Sequence, residues 1–350
     1  MSYAAESHRP LSRASIMIAA FSTIVEWYDF TLYLYFATVL SRVFFGGGAQ
    51  SLALTLAGFA IAYLMRPVGA VFFGHIGDRH GRRRTMLLSV AVMTAAMLAM
   101  ALLPTRAQAG PVAGALLLLL RCVMGFAVGG EYTGVVAYLF EGAQPRHRGL
   151  VASFAAATSE VGGLLAVGIA ALTVGAMSSA SLEAWGWRIP FFVGAALAGS
   201  VWIARSWMEE SPEFQRQLRN GTVPANPLRH TLTHDRAGIG RSFAISALGS
   251  ITYYVGITYV PAFLTSVSAT DESVSLRLST IAALAVILVT PLTGLMSDRW
   301  GRRPALLSFC ALSAVLPMTM FSWMGSGGSV APLAGAIILA CVAGGVSAVG

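Results

Sequence analysis

Charge is what this sequence has least of. Asp, Glu, Lys and Arg make up 11% of its 350 residues, against about 25% in an average soluble domain, and lysine is absent altogether. Apolar residues make up 56%, and mean hydropathy is +0.71. An aqueous globule is thereby excluded and a lipid environment implied. Cysteine is scarce as well: Cys122, Cys310 and Cys341 each fall inside an apolar run. An odd count without framework spacing argues against a disulfide scaffold and a zinc site. No His, Cys and Asp cluster has metal-ligand spacing, and no Gly-rich phosphate loop follows a strand. The histidines (His8, His75, His80, His147, His230, His234) sit in or beside polar segments. Neither an enzyme nor a cofactor is therefore expected. A cleavable leader is rejected because Glu26 and Asp29 interrupt the first apolar run and no small-residue cleavage pattern follows. The net charge of +8 does not point to nucleic acid, since the arginines punctuate apolar runs.

Ten such runs are present, near 16–40, 52–75, 85–104, 112–140, 149–175, 188–208, 241–266, 275–297, 305–324 and 330–350. About 20 apolar residues cross the hydrocarbon core as a helix, and only a helix pairs its own backbone there. The fold class expected is therefore an all-α polytopic membrane protein. Seventeen of the 23 arginines, Arg9 and Arg205 among them, fall in segments that are cytoplasmic if the N-terminus is inside. Only Arg42, Arg106, Arg188 and Arg277 fall in outer loops, while Arg66 and Arg121 lie within spans. That bias places the N-terminus in the cytoplasm. The domains expected are an N-terminal half at 1–208, a polar linker at 209–240 containing Pro212, Pro224 and Pro227, and a C-terminal half at 241–350. Six spans precede the linker and four follow it, so a second half incomplete at Gly350 is expected.

One motif occurs twice. Gly74-His-Ile-Gly-Asp-Arg-His-Gly-Arg-Arg-Arg84 lies between two apolar runs, and Gly294-Leu-Met-Ser-Asp-Arg-Trp-Gly-Arg-Arg303 repeats its spelling 220 residues later. Repetition at that period implies two structurally equivalent halves. Asp78, Arg79, Gly81, Arg82 and Arg83, with Asp298, Arg299, Gly301, Arg302 and Arg303, are the candidate cytoplasmic gate. These loops resemble the signature between helices 2 and 3, and again between helices 8 and 9, of the major facilitator superfamily of transporters. The resemblance implies two pseudo-symmetric six-helix halves, with Asp78 meeting the start of an eleventh helix. By the two-fold repeat, Asp298 is expected at the start of the fifth span, near Gly149.

A charge at the bilayer centre costs ~2.5–3.5 kcal/mol on insertion scales, so intramembrane acids and arginines mark a cavity or a partner. Glu26 and Asp29 are three apart on one helix face, and Tyr33 extends it. Arg121 and Tyr132 share a face of the fourth span, whose glycines allow a neighbouring helix to come close. Glu131 and Glu160 are further intramembrane acids. Arg66, beside Pro67, reads as structural. The segments Glu26-Trp-Tyr-Asp-Phe30, Gly129-Gly-Glu-Tyr132, Trp185-Gly-Trp-Arg-Ile-Pro-Phe191 and Glu210-Ser-Pro-Glu-Phe214 resemble the metabolite:proton symporter family of that superfamily. Gly129-Gly-Glu-Tyr-Thr-Gly134 and Thr252-Tyr-Tyr-Val-Gly-Ile-Thr-Tyr-Val-Pro261 are most similar to its proline/betaine transporters. Ser22, Met124 and Glu160 depart from the glycine, glutamine and uncharged residue usual there.

The resemblance implies proton-coupled import of a small solute through the inner membrane by alternating access. Glu26, Asp29 and Glu131 are the candidate proton carriers. For the solute, the aromatic faces of Tyr28, Tyr33, Tyr132, Tyr253 and Tyr254 can cage a quaternary ammonium by cation–π contact, and Arg121 can take a carboxylate. That pairing suits a zwitterion such as proline or betaine. The alternatives are a carboxylate such as 2-oxoglutarate, citrate or shikimate and, in another class, a membrane receptor that binds without transport. The partners expected are solute, proton and lipid.

Overall fold

The computed structural model describes residues 11–223, 227–266, 272–326 and 330–349; His8, Arg9 and Pro224 lie outside them. No strand occurs among the described residues. The main helices are α1 (Arg13–Tyr35), α2 (Ala49–His80), α3 (Arg82–Ala101), α4 (Pro111–Gly142), α5 (Arg148–Ala176) and α6 (Gly186–Ser206), followed by α7 (Arg236–Leu264), α8 (Glu272–Trp300), α9 (Arg302–Gly325) and α10 (Ala331–Val349). All but α1 are long and apolar enough to cross a membrane, nine among the described residues. α1 has 23 residues and is the expected span that carries Glu26 and Asp29. Its start is set by Ser12, whose hydroxyl accepts from the Ser15 amide at 3.2 Å. Pro111 at the first turn starts α4, where a missing N–H costs nothing.

The chain divides into two compact units. The first comprises Met1–Ala143 and Leu165–Leu228, and the second Gln144–Leu164 and Arg229–Gly350. This division follows packing, whereas the expected domains follow the sequence repeat. The start of α5 groups with the second unit because Asp298 caps it there, as described below.

Within the first unit, Tyr28, Phe36, Phe44, Met97, Trp187 and Phe191 form the centre of a buried cluster. Large apolar side chains such as Leu64 and Leu172 are exposed instead, as a lipid-facing surface requires. Lipid tails are as apolar as leucine, so helices associate here through close packing rather than hydrophobic drive. The α2–α4 seam illustrates this. A Cβ added at Gly125 would overlap the Ala62 carbonyl, and one at Gly129 the Arg66 carbonyl. In the second unit, Val286, Met324, Leu339 and Ala340 form the corresponding cluster.

The repeated motif produces the same local structure twice. Gly81 has φ +104° and ψ 150°, and Gly301 φ +93° and ψ 149°, a region reserved to glycine. Each ends one helix and starts the next within a single residue, which is why both copies carry glycine at this position.

The seam predicts a graded response. Gly125→Val is expected to cost about 1–3 kcal/mol or more, by overpacking against backbone, while Gly168→Ala in α5, with nothing within 4 Å of the added carbon, is tolerated. Thermal unfolding of both variants in detergent checks this, and equal midpoints would contradict it.

Candidate functional site

Three acids and three arginines of the first unit meet among its apolar helices. Asp29 on α1 is 2% exposed and Arg121 on α4 is 3% exposed. One terminal nitrogen of Arg121 donates to both Asp29 oxygens, at 2.9 and 2.8 Å, and its guanidinium carbon lies 4.3 Å from the centre of the Tyr33 ring. Glu131 on α4 pairs with Arg205 at the end of α6. Arg205 also donates to the Met86 carbonyl at 2.8 Å and to the Ser22 hydroxyl, and Ser89 donates to Glu131 at 2.6 Å. One fully buried guanidinium thus ties α1, α3, α4 and α6 together. The third pair is loose: Arg66 approaches Glu26 at 3.5 Å, and the other Glu26 oxygen is buried without a hydrogen-bond partner among the described residues.

A narrow recess opens beside these groups, lined by Asp29, Phe30, Phe59, Ala62, Tyr63, Arg66, Arg121, Met124, Gly125 and Val128. Its aromatic walls are Phe30, Phe59 and Tyr63, which differ from the expected tyrosines. Tyr28 is fully buried and donates to the Pro190 carbonyl at 2.7 Å, and Tyr33 donates to the Thr55 carbonyl at 2.9 Å. Both hydroxyls therefore hold helices together. Tyr132 follows an interruption of α4 at Gly130 and does not line the recess. Tyr253 and Tyr254 belong to the second unit, where α7 passes into a π-helical turn at Tyr254–Thr258, their rings 6.0 Å apart edge to face. Glu160, in the part of α5 that belongs to the second unit, makes no ion pair or hydrogen bond among the described residues.

The candidate gate residues form two different networks. In the first unit Arg82 lies between Asp78, at 2.8 Å, and Glu141, at 3.1 Å, and the Ser211 hydroxyl donates to Glu141 at 2.6 Å. The Glu210 carboxylate accepts the amides of Arg83 at 3.1 Å and Ser211 at 2.8 Å, beside Gly81, where a Cβ would strike it. Arg83 donates to the Ser206 carbonyl. In the second unit Asp298 accepts the amides of Gly149 at 2.7 Å and Leu150 at 2.9 Å. Those are unpaired donors at the start of α5, where helix polarity also favours an anion. Arg79, Arg299 and Arg303 are exposed, while Gly301 and Arg302 open α9.

Two placements add to the sequence reading. Arg205, counted there by its segment among cytoplasmic arginines, is 0% exposed, because its guanidinium turns inward to Glu131. Arg66, read as structural, pairs loosely with Glu26 and lines the recess. Ser22 and Ser89 escaped notice as sites; the replacement of glycine by Ser22 was the signal, since its hydroxyl accepts from Arg205.

A family model, Sugar (and other) transporter, matches residues 15–226. The chain is 36% identical over 311 residues to the alpha-ketoglutarate permease of Escherichia coli (strain K12), covering 88% of this chain and 71% of that protein. It is 33% identical over 304 residues to the glycine betaine/proline/ectoine/pipecolic acid transporter OusA of Dickeya dadantii, covering 83% and 60%. With the proline/betaine transporter of Escherichia coli (strain K12) the identity is 30% over 341 residues, covering 94% and 68%. The chain thus spans 60% to 71% of the length of these relatives. Among solved structures, the proton:xylose symporter XylE bound to 6-bromo-6-deoxy-D-glucose superposes with TM-score 0.67 at 19% identity, covering 96% of this chain and 85% of that one. The human organic anion transporter MFSD10 gives 0.63 at 16%, with the same coverage. At these identities the structures show the fold alone.

The Glu131–Arg205 hub predicts a sign pattern. Removing one partner, as in Arg205→Met, strands a buried charge and costs about 3–5 kcal/mol, whereas removing both with Glu131→Leu restores most of the loss. Unfolding of the two variants measures this; a double variant no better than the single one would contradict it.

Proposed function

The chain belongs to the sugar (and other) transporter family of the major facilitator superfamily and is a multi-pass membrane protein, and from that premise we propose that it is a proton-coupled symporter importing a small organic solute. The solute class is a zwitterion such as proline or betaine. The observation that carries this reading is the recess itself, lined by Asp29, Arg121 and Arg66 beside Phe30, Phe59 and Tyr63, with Glu26 outside the lining as the acid paired with Arg66, so that the charges balance. A zwitterion adds no net charge to such a site, and aromatic faces attract its ammonium end at ~0.5–2 kcal/mol per contact. Protonation of Glu26 or Asp29 removes one buried charge, loosens its arginine and lets the transporter change between inward- and outward-facing states. The same reading takes 1–208 and 241–350 as the two moving halves, joined by 209–240, with the N-terminus cytoplasmic in the inner membrane. In it, Asp78 and Asp298 with their arginines hold the cytoplasmic gate.

A second reading, symport of a carboxylate, is favoured by the 36% identity to alpha-ketoglutarate permease.

Uptake of labelled betaine, proline, 2-oxoglutarate, citrate and shikimate into proteoliposomes, with an imposed pH gradient, tests both. Betaine or proline is expected to displace uptake better than citrate; inhibition by tricarboxylates with none by betaine would establish the second reading instead. Glu26→Gln or Asp29→Asn is expected to abolish uphill uptake in folded protein. Normal accumulation by both variants against a gradient would sink the coupling assignment.

A further inference from the structure

Of the three arginines among the apolar helices of the first unit, two are held in short bonds to their acids, though each keeps a buried Nε without a hydrogen-bond partner among the described residues. Arg121 is hydrogen-bonded to Asp29, and Arg205 to Glu131, Ser22 and the Met86 carbonyl. Arg66 makes no hydrogen bond among the described residues. Its nearest acidic oxygen, on Glu26, is 3.5 Å away, too long for a strong charge-assisted bond. Its guanidinium lies over the rings of Phe30 and Tyr63, at 5.2 and 4.6 Å from their centres. Stacking of that kind uses the face of the group and leaves its N–H donors free. The side chain is 24% exposed and lines the recess.

The complementary oddity is Glu26. It is 3% exposed, and its second oxygen has no hydrogen-bond partner among the described residues. The charged groups around it are Arg66 from α2, Glu131 from α4, Arg205 from α6 and Asp29 on its own helix. Glu131 and Asp29 are each engaged by another arginine, so Arg66 is the cation left to Glu26.

We propose that Arg66, and not Arg121, receives the carboxylate of the transported solute, and that Glu26 competes with that carboxylate for Arg66 and yields it only when protonated. The proposal rests on the symporter reading above and names the groups that perform it. Asp29, Arg66 and Arg121 line the recess, and Glu26 is the acid paired with Arg66. With Glu26 ionised, a solute carboxylate entering would set two carboxylates against one guanidinium where the dielectric is low. A proton on Glu26 removes that competitor, and the freed guanidinium fork matches a carboxylate with two parallel hydrogen bonds. One carboxylate and one proton therefore enter together, and both leave when Glu26 loses its proton and reclaims Arg66. The tightly bonded Asp29–Arg121 pair forms the fixed wall of the same recess.

Equilibrium binding of labelled betaine, 2-oxoglutarate and choline to the full chain in nanodiscs, from acidic to alkaline buffer, tests this. Choline carries the quaternary ammonium of betaine without its carboxylate. In the unaltered protein, affinity for at least one carboxylate probe is expected to fall as pH rises. Arg66→Gln should weaken that probe about 10- to 100-fold, the loss of a charged hydrogen-bonded contact, and leave choline unchanged. Glu26→Gln should keep the carboxylate affinity and flatten its pH dependence. Should Arg66→Gln fail to fold, the double variant Glu26→Gln/Arg66→Gln, which leaves neither charge buried, should show the same loss. Unchanged carboxylate affinity in either Arg66 variant, or a pH dependence that persists in Glu26→Gln, overturns the proposal while leaving symport intact. Failure of the unaltered protein to bind any carboxylate probe overturns the symporter reading and this proposal together.

Discussion

A charge in hydrocarbon needs a partner, and the inside of the first unit is arranged around that requirement. Asp29, Glu131 and Glu26 each face an arginine, from α4, α6 and α2 respectively. The pairs differ in how completely they are satisfied. Glu131–Arg205 is sealed by two serines and a carbonyl, and Asp29–Arg121 by contact of one nitrogen with both oxygens. Glu26–Arg66 leaves an acidic oxygen and a set of N–H donors unused. Buried pairs add little stability once desolvation is counted, whereas breaking one is costly. The two tightly bonded pairs therefore define which helices stay together, and the loose one is where the proposed solute and proton would intervene.

The repeated loops apply the same rule at the helix ends. Asp298 finds its partners in two free amides at the start of α5, and Asp78 finds Arg82. Glu141 and Glu210 then link the loop after α2 to the segment after α6 through Arg82, Ser211 and the Arg83 amide. All these contacts are side chain to backbone or side chain to side chain near helix ends, where water can replace them. Such contacts suit a gate that opens and closes better than the sealed hub at Arg205 does.

Much of the fold was legible from composition and repetition. Helices follow from runs of apolar residues, because no other structure satisfies its backbone in lipid, and the glycine in each motif copy follows from the backbone angles at the turn. The meeting of Asp298 with Gly149 was legible from the repeat taken together with the family resemblance. The site was less so. Sequence spacing reveals which residues share a face of one helix, so Glu26 and Asp29 were found together. It does not reveal which neighbour that face meets, and Arg205 lies 74 residues from Glu131. At the end of its span, Arg205 read as a topology arginine because its inward turn depends on packing. The tyrosines were legible only in part for a similar reason: aromatic content is visible in sequence, but the engagement of the Tyr28 hydroxyl with Pro190 and of the Tyr33 hydroxyl with Thr55 is not.

The central claim is that solute and proton occupy one recess and move together. Proteoliposomes loaded with a pH-sensitive dye measure this directly when solute is added outside with no imposed gradient. The account predicts that betaine, proline or 2-oxoglutarate acidifies the lumen, and that the number of protons entering tracks the number of labelled solute molecules accumulated. Solute accumulation with no change in lumenal pH would contradict it.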